Sequence, residues 1–209
     1  MSIPSSPTFQ EERALLNQGY TAIVGIDEAG CGALAGPVVA AAVIFPLNSR
    51  LAKVKDSKLM SPKLREELYP QILSKAKAFG VAEASVAEIE SFGLRQATFL
   101  AMRRALGQIN EVDYVLVDGY LVPGITLPQK RIIKGDRTVK SIAAASVIAK
   151  VTRDRIMVKY EQQYPEYGFA KHKGYGTGIH QAAITEHGPC PIHRMSFRPF
   201  LPTLFDKNG

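Results

Sequence analysis

The chain has 209 residues, and its 26 Lys and Arg residues against 19 Asp and Glu residues give a formal net charge of +7 at pH 7. Hydrophobic residues make up 46% and charged residues 22%, close to the average soluble globular protein, which excludes disordered, collagen-like and coiled-coil classes. The length favours one domain with a small appended element over two full domains. The basic excess favours a polyanionic partner without identifying it.

The cysteines and the N-terminus indicate a cytoplasmic protein. Cys31 and Cys190 are too few for a secreted disulfide framework, and the first residues lack the basic and apolar regions of a signal peptide. Residues 29–49 carry no charge, but their continuous apolar run, 38–45, has the length of a strand and falls short of the roughly 20 residues that span a bilayer. We therefore expect no membrane contact.

The first half of the chain contains helix starts and two apolar runs. Thr8 and Glu11 have the spacing of a capping box, which predicts a first helix ending near residue 17. Two β-rich runs follow at residues 21–27 and 37–45, joined by a segment rich in Gly and Ala. They predict a pair of strands.

Two further helix starts come next. Ser61 followed by Pro62 predicts a helix with Pro at its first position. Ser85 and Glu88 form a second capping-box pattern, ahead of a helix predicted over residues 94–109.

The second half of the chain alternates the same elements. Runs at 114–118 and 130–133 predict strands, and helices are predicted over 141–164 and 178–186. This alternation indicates an α/β or α+β fold with a mixed sheet. We expect a helical segment at 1–20, a core at 21–164 and a helical and loop extension at 165–209.

Four carboxylates follow the ends of apolar runs: Asp27, Glu28, Asp118 and Asp136. Ligands bind beyond strand ends in open α/β sheets, so these side chains could converge on one site. Oxygen ligands without His or Cys favour Mg²⁺ or Mn²⁺, and two such ions would clamp the attacking and leaving oxygens of a phosphodiester. The alternative is that they are turn formers, as an Asp-Gly pair such as residues 118–119 often is.

The residues around these carboxylates resemble one family. Residues 25–43 (GIDEAGCGALAGPVVAAAV) are similar to the signature of ribonuclease HII, the type 2 ribonuclease H family. The similarity covers about residues 20–200 and continues in family order through DSKLMSPKLREEL, VDG, KGD, SIAAASVIAKVTRDR, FAKHKGYGTGIH and GPCPIHRMSF.

The resemblance implies an RNase H-like fold, with a five-stranded mixed β-sheet flanked by helices and a small C-terminal helical extension. It implies an endonuclease that cleaves the RNA strand of RNA–DNA hybrids and cuts 5′ of ribonucleotides embedded in duplex DNA, leaving 3′-hydroxyl and 5′-phosphate ends. It also assigns Asp27, Glu28, Asp118 and Asp136 as ligands of two Mg²⁺ or Mn²⁺ ions.

One loop departs from the family pattern. The resemblance implies that a Gly-Arg-Gly loop senses the 2′-hydroxyl and the flanking phosphates, and here the loop reads Gly30-Cys31-Gly32. Cys cannot make the bidentate phosphate contact of Arg, and one lost charge-assisted hydrogen bond costs roughly 1.5–3 kcal/mol. Either substrate binding is weakened, or Cys31 is a tolerated loop residue and a nearby Lys replaces the arginine.

The resemblance assigns further substrate contacts. Tyr175 matches a tyrosine that stacks on the sugar next to the scissile ribonucleotide, and Lys58 is placed near the substrate backbone. Four further basic residues are candidate phosphate contacts, although a solvated basic face would explain each of them equally well. These residues are Lys171, His172, Lys173 and Arg194. The four histidines have no metal-binding spacing with the cysteines, so we expect no zinc site.

Two alternatives stay open: a DNA-directed nuclease of the resolvase or integrase type on the same fold, and a non-catalytic hybrid-binding protein. We expect a monomer, and residues 201–209 give a faint indication of the sliding-clamp motif that the family commonly carries.

The excess of basic residues is local. Between residues 120 and 180 there are 11 Lys and Arg against 4 Asp and Glu, a difference of +7, which predicts a duplex-binding face there.

Overall fold

Five strands form a mixed sheet in the order β3-β2-β1-β4-β5 in this computed structural model, which describes residues 6–49, 54 and 56–200. β1 pairs antiparallel with β2 and parallel with β4, β2 pairs antiparallel with β3, and β4 pairs parallel with β5. The strands are β1 (Ile23–Ala29), β2 (Val38–Ile44), β3 (Ala78–Ala84), β4 (Tyr114–Asp118) and β5 (Gln129–Ile132). The expected five-stranded mixed sheet is therefore confirmed.

Helices cover both faces of this sheet. The helices are α1 (Gln10–Leu16), α2 (Pro62–Lys75), α3 (Val86–Phe92), α4 (Leu94–Leu106), α5 (Gly135–Thr138), α6 (Lys140–Gln163), α7 (Phe169–His172) and α8 (Gly178–His187). Among the described residues, no helix has the length and apolarity that crossing a membrane requires.

The helices pack on the sheet through two apolar cores, one on each face. On one face, side chains of α4 such as Met102 pack on β-strand residues such as Ile26 and Val117. On the other face, the alanine-rich first half of α6, including Ala144 and Ile148, packs on Val43 of β2. Strand alternation sends successive side chains to opposite faces, so both cores are filled by the same strands.

The predicted elements at 21–27, 37–45, 94–109, 114–118, 130–133, 141–164 and 178–186 are confirmed with small shifts of their ends. Four elements were not predicted: β3, with the sequence AFGVAEA, and the short helices α3, α5 and α7. The sequence of β3 has weak β propensity, so it does not indicate a strand by itself. The segment is a strand because it pairs with β2 from Ala78 to Ala84.

The helix starts differ in how well the caps were predicted. The Ser61 hydroxyl accepts from Leu64 N, and Ser85 and Glu88 form a reciprocal capping box, so both predictions are confirmed. The capping box at Thr8 is wrong, because α1 begins later, after Phe9, and has no side-chain cap. Glu11 instead pairs with a lysine on β5 at 2.7 Å.

The C-terminal part packs against the end of α6. Met157 of α6 shares a buried cluster with Phe169, Ala183 and Ile192, and with Ala35 from the loop after β1. Helix α6 ends at Gln163, beside the boundary expected at 164. The division into domains stays a prediction, and the clamp-like segment 201–209 lies outside the described residues.

Candidate active site

Three aspartates meet at one edge of the sheet. Ile26 of β1 pairs with Val117 of β4 in parallel, so Asp27 and Asp118 follow at the same end of neighbouring strands. Asp136 arrives from the start of α5, after the chain has left β5. A carboxylate oxygen of each aspartate lies within 4.8 Å of the other two. The convergence expected from strand ends is thus observed for these three residues.

Local hydrogen bonds fix two of these side chains. Asp27 Oδ1 accepts from the backbone N–H of Glu28 at 2.8 Å, and Asp118 Oδ1 accepts from Gly135 N–H at 2.7 Å. Because Gly135 precedes Asp136, the second bond ties the end of β4 to the start of α5. Each carboxylate keeps a second oxygen for a ligand, and this all-oxygen donor set fits Mg²⁺ or Mn²⁺.

Glu28 approaches from the other side of the sheet. Consecutive strand residues point to opposite faces, so Asp27 faces α6 whereas Glu28 faces α4 and lines a hollow with Asp118, Cys31 and Thr98. The expectation that four carboxylates form one cluster therefore differs from the structure, in which three cluster and Glu28 flanks them.

The carboxylates repel one another. Burial, followed by the charges of Glu28 and Asp118, raises the pKa of Asp27 well above its usual range. Burial and the Asp118 charge also raise the pKa of Glu28, and burial raises that of Asp118. Burial and the charges of Asp118 and Asp56 raise the pKa of Asp136 to about 6. A bound cation would offset this repulsion, which is a second sign that the cluster fits a metal.

Lys58 lies beside the cluster on an exposed turn. Burial lowers its pKa, but the charges of Asp27 and Asp136 outweigh burial and leave the pKa raised. Asp56, whose role the sequence did not predict, caps this turn by accepting from Lys58 N at 2.9 Å, and it accepts from Arg137 Nε at 3.1 Å. The Asp-x-Lys spacing is the signal that could have identified Asp56, since Asp is a common cap.

The loop after β1 carries the Gly-Cys-Gly sequence. Cys31 Sγ lies 3.6 Å from Glu28 Oε1 and 3.6 Å from Thr98 Oγ1, and burial followed by the Glu28 charge raises the pKa of this thiol to about 12. A Cβ on Gly30 would lie 2.0 Å from Arg153 Nε, whereas one on Gly32 would meet nothing within 4 Å. The two glycines therefore serve different purposes: Gly30 admits a buried side chain, and Gly32 leaves the surface open.

Tyr175 lies next to this loop. It forms an antiparallel β-bridge with Ala33, and its ring is covered by Lys150 Nζ at 4.9 Å and Arg153 Cζ at 5.3 Å from the ring centroid. Lys173 is half-buried and directs its ammonium group to the Ala170 carbonyl. The structure thus brings the Gly30–Gly32 loop and Tyr175 together.

Two of the predicted phosphate contacts are buried. Arg194 is 0% exposed, and its guanidinium donates to the carbonyls of Gly36 and Cys31. His172 is 8% exposed, with Nε2 against the Tyr167 carbonyl at 2.8 Å. Neither side chain is free to contact a phosphate, because backbone groups already occupy its polar atoms. The sequence expectation for both is corrected on this ground, whereas Lys171 is exposed.

Two of the 11 basic residues between 120 and 180 are also buried, Lys140 and Arg153. Lys140 directs its ammonium group to the Val54 carbonyl at 3.4 Å. The predicted basic face is therefore smaller than the sequence count. The basic residues in this range that are exposed are Lys130, Arg131, Lys134, Arg155, Lys159 and Lys171.

The chain is similar to one family over most of its length. The model of the family described as ribonuclease HII matches residues 24–199. Ribonuclease HII of Syntrophotalea carbinolica is 54% identical over 194 residues, covering 92% of each chain. That of Dehalococcoides mccartyi is 48% identical over 204 residues, covering 96% of each chain.

Solved structures agree with the sequence relatives. Ribonuclease H2 from Pyrococcus horikoshii has a TM-score of 0.72 at 25% identity, covering 85% of this chain and 94% of the other. The RNase HII in the PCNA:RNase HII complex from Archaeoglobus fulgidus has a TM-score of 0.70 at 26% identity, covering 89% and 100%. With its acidic cluster at the ends of β1 and β4 and its match over residues 24–199, the chain belongs to the ribonuclease HII family of RNase H endonucleases.

Proposed function

We propose that this endonuclease cleaves the RNA strand of RNA–DNA hybrids and cuts duplex DNA 5′ of single embedded ribonucleotides, leaving 3′-hydroxyl and 5′-phosphate ends with the help of two divalent cations. The observation that carries the proposal is the cluster of Asp27, Asp118 and Asp136, whose oxygens lie within 4.8 Å of one another. The loop for which the family resemblance implies ribose recognition shares a hollow with Asp118 through Cys31, and Tyr175 lies beside this loop.

The carboxylates would hold Mg²⁺ or Mn²⁺. Asp27 and Asp118 present oxygens from neighbouring strand ends and Asp136 from α5, while Glu28 offers a further carboxylate from the opposite face. Two ions bound there would supply a nucleophilic water at neutral pH and stabilise charge on the departing 3′-oxygen. The Gly135 N–H, which donates to Asp118 Oδ1 at 2.7 Å, would keep this carboxylate oriented for the ions.

The residues beside the cluster would orient the nucleic acid. Lys58 is exposed next to the carboxylates, so its ammonium group suits a phosphate on one side of the scissile bond. Gly32 leaves open space for close backbone approach to a ribose 2′-hydroxyl. Tyr175 presents a half-buried ring on the other side of the loop, suited to stacking on the neighbouring sugar.

The decisive experiment is a cleavage assay on a DNA duplex with one embedded ribonucleotide, with Mg²⁺, with Mn²⁺ and with a chelator. We expect metal-dependent cutting 5′ of the ribonucleotide, and no cutting of the all-DNA duplex. Asp118→Asn is expected to abolish the cut, while Glu67→Gln, which neutralises an exposed carboxylate on α2, serves as its control.

Each other outcome identifies an alternative. Cutting of the all-DNA duplex would favour the DNA-directed nuclease, and binding of the hybrid without any cutting would favour the non-catalytic binding protein. A near-wild-type rate for a folded Asp118→Asn variant would overturn the assignment of the carboxylate cluster.

Clamp contact and a monomeric state stay predictions. The Archaeoglobus fulgidus relative was solved in a complex with PCNA. Binding of a bacterial sliding clamp to the full chain, compared with a chain shortened at residue 200, tests the contact, and light scattering tests the monomer.

A further inference from the structure

Two arginines lie buried beneath the loop that follows β1. Arg153 and Arg194 are both 0% exposed. Within the described residues, neither forms an ion pair with a carboxylate. Burial lowers the pKa of both, that of Arg194 to about 10. Burying a guanidinium group costs free energy unless its N–H groups find hydrogen-bond acceptors. The acceptors that bind these two arginines therefore indicate their role.

Arg153 joins two segments that are distant in sequence. Its Nε donates to the Pro37 carbonyl, its Nη2 to Ala35 and its Nη1 to Lys173, each at 2.9 Å. The first two carbonyls belong to the loop after β1, and the third lies two residues before Tyr175. One rigid guanidinium therefore sets the spacing between the loop and the tyrosine segment.

Arg194 holds the same loop from the C-terminal part. Its Nε and Nη2 donate to the Gly36 carbonyl at 2.9 and 2.7 Å, and its Nη1 donates to the Cys31 carbonyl at 3.2 Å. Its own backbone N–H donates to the Leu34 carbonyl at 2.8 Å. The carbonyl of the central residue in the Gly-Cys-Gly sequence is thus fixed by a side chain more than 160 residues away along the chain.

Two other contacts make Arg153 specific to this arrangement. It lies against Gly30, where a Cβ would stand 2.0 Å from its Nε, and its Cζ lies 5.3 Å from the centroid of the Tyr175 ring. The same guanidinium therefore touches the first glycine of the loop, supports later carbonyls of the loop and stacks on the tyrosine.

We propose that Arg153 and Arg194 are positioning residues for ribose recognition, holding the Gly30–Gly32 loop and Tyr175 at a fixed separation on either side of the sugar. This rests on the proposed function, since it assumes that the loop and the tyrosine contact the scissile ribonucleotide. Neither arginine touches the substrate. A shift of the loop relative to the tyrosine degrades recognition and leaves the carboxylate cluster unchanged.

The test uses Arg153→Lys and Arg194→Lys, which keep the charge and lose the planar fork. The matched control is Arg103→Lys on α4, where the arginine likewise donates to a backbone carbonyl, that of Pro123. After thermal unfolding confirms folded protein, kcat, KM and the cleaved position are measured on the duplex with one ribonucleotide.

We expect both variants to raise KM by about tenfold to a hundredfold, the effect of a displacement near 1 Å, and to cut partly at neighbouring phosphates. The control is expected to match the wild type. Unchanged KM and cleavage position in the two variants, with only a lower melting temperature, would assign a purely structural role and overturn the proposal. A wild-type enzyme that leaves this substrate uncut would instead overturn the proposed function.

Discussion

Cys31 Sγ lies 3.6 Å from Glu28 Oε1, so the central residue of the loop touches one of the acidic residues directly. The thiol also contacts Thr98 on α4. It borders a hollow of about 220 Å³ between α4 and the end of β4. A small neutral side chain therefore stands where the resemblance to the family places an arginine.

Restoring the arginine tests whether this substitution weakens binding. The hollow gives Cys31→Arg room to extend, and a guanidinium there can contact a substrate phosphate. We expect KM on the single-ribonucleotide duplex to fall by about tenfold, as one charge-assisted hydrogen bond predicts. Cys31→Lys should give a smaller decrease, because an ammonium group lacks the bidentate fork. Equal KM values for all three proteins would show that the backbone alone does the work of the loop.

The two glycines of the loop are expected to respond in opposite ways to alanine. Gly30→Ala places a methyl group against Arg153 in a residue with a φ of +101°, so it should destabilise the protein by about 1–3 kcal/mol or more. Gly32→Ala meets no protein atom and should change the stability by less than about 0.5 kcal/mol.

The kinetics of Gly32→Ala should nevertheless suffer, because its methyl group occupies the space proposed for the ribose. Chemical denaturation and KM measured on both variants separate the two effects. A Gly32→Ala variant with wild-type KM would remove close substrate approach as the reason for this glycine.

Removing one active-site charge should stabilise the protein while inactivating it. Burial and the neighbouring carboxylates raise the pKa of Asp27 well above its usual range, so Asp27→Asn relieves both desolvation and repulsion. We expect the melting temperature to rise by a few degrees without metal. Mg²⁺ or Mn²⁺ should raise the melting temperature of the wild type but much less that of the variant. Calorimetry with and without metal checks this, and an equal metal effect on both proteins would contradict it.

A histidine pair in the C-terminal part makes stability depend on pH. His180 Nε2 lies 3.0 Å from His193 Nε2, and burial followed by the charge of His172 lowers the pKa of His180 to about 4. The unfolded chain takes up this proton near pH 6.5, so between about pH 6.5 and pH 4 unfolding is accompanied by proton uptake. The contribution of His180 to stability is therefore full above pH 6.5 and is lost as the pH falls toward 4, by up to about 1.4 kcal/mol per pH unit.

Urea unfolding at several pH values measures this slope. His180→Gln should lose the part of the slope that this histidine contributes. His187→Gln, at an exposed position of the same helix, is the substitution control. The acidic cluster, whose raised pKa values act in the opposite direction over this range, is present in both proteins, so the difference between wild type and His180→Gln isolates the histidine. A difference that is constant from pH 7 to pH 5 would be incompatible with the buried neutral pair.

Binding to duplexes should weaken with salt. If the exposed basic residues contact phosphates, raising the salt from about 50 to 200 mM should lower the affinity steeply, and Lys171→Gln should reduce the slope of log K against log salt by about one. Lys75→Gln on α2 is the control, because it lies outside the predicted face. Equal slopes for the two variants would exclude Lys171 from the interface.

The sequence predicted the position of the acidic site because Asp27 and Asp118 end short apolar runs, and parallel pairing brings such ends together. Strand alternation already implies that Asp27 and Glu28 point to opposite faces of β1. Which of the two joins Asp118 and Asp136 depends on the side from which α5 approaches the sheet, and the sequence does not contain that information. It also missed β3, whose Gly and Ala residues become a strand only through pairing with β2.

The buried arginines show a different limit. A basic residue in sequence resembles a phosphate contact, and Arg194 was assigned in that way. The carbonyls that bind it belong to Gly36 and Cys31, 158 and 163 residues away, so no local pattern contains the information. Whether a basic side chain such as Arg194 is buried therefore depends on backbone carbonyls that are distant in the sequence.

Asp27 and Glu28 are neighbours in the chain but occupy opposite faces of β1. A slip of β1 by one residue against β4 would exchange them, turning the longer side chain toward Asp136 and the shorter one toward Cys31. The positions of the clustered carboxylates thus depend on the pairing of Ile26 with Val117, and this register is set by apolar side chains. Substitutions in this apolar core that leave the protein folded can therefore still abolish its activity, because they displace the carboxylates of the acidic cluster.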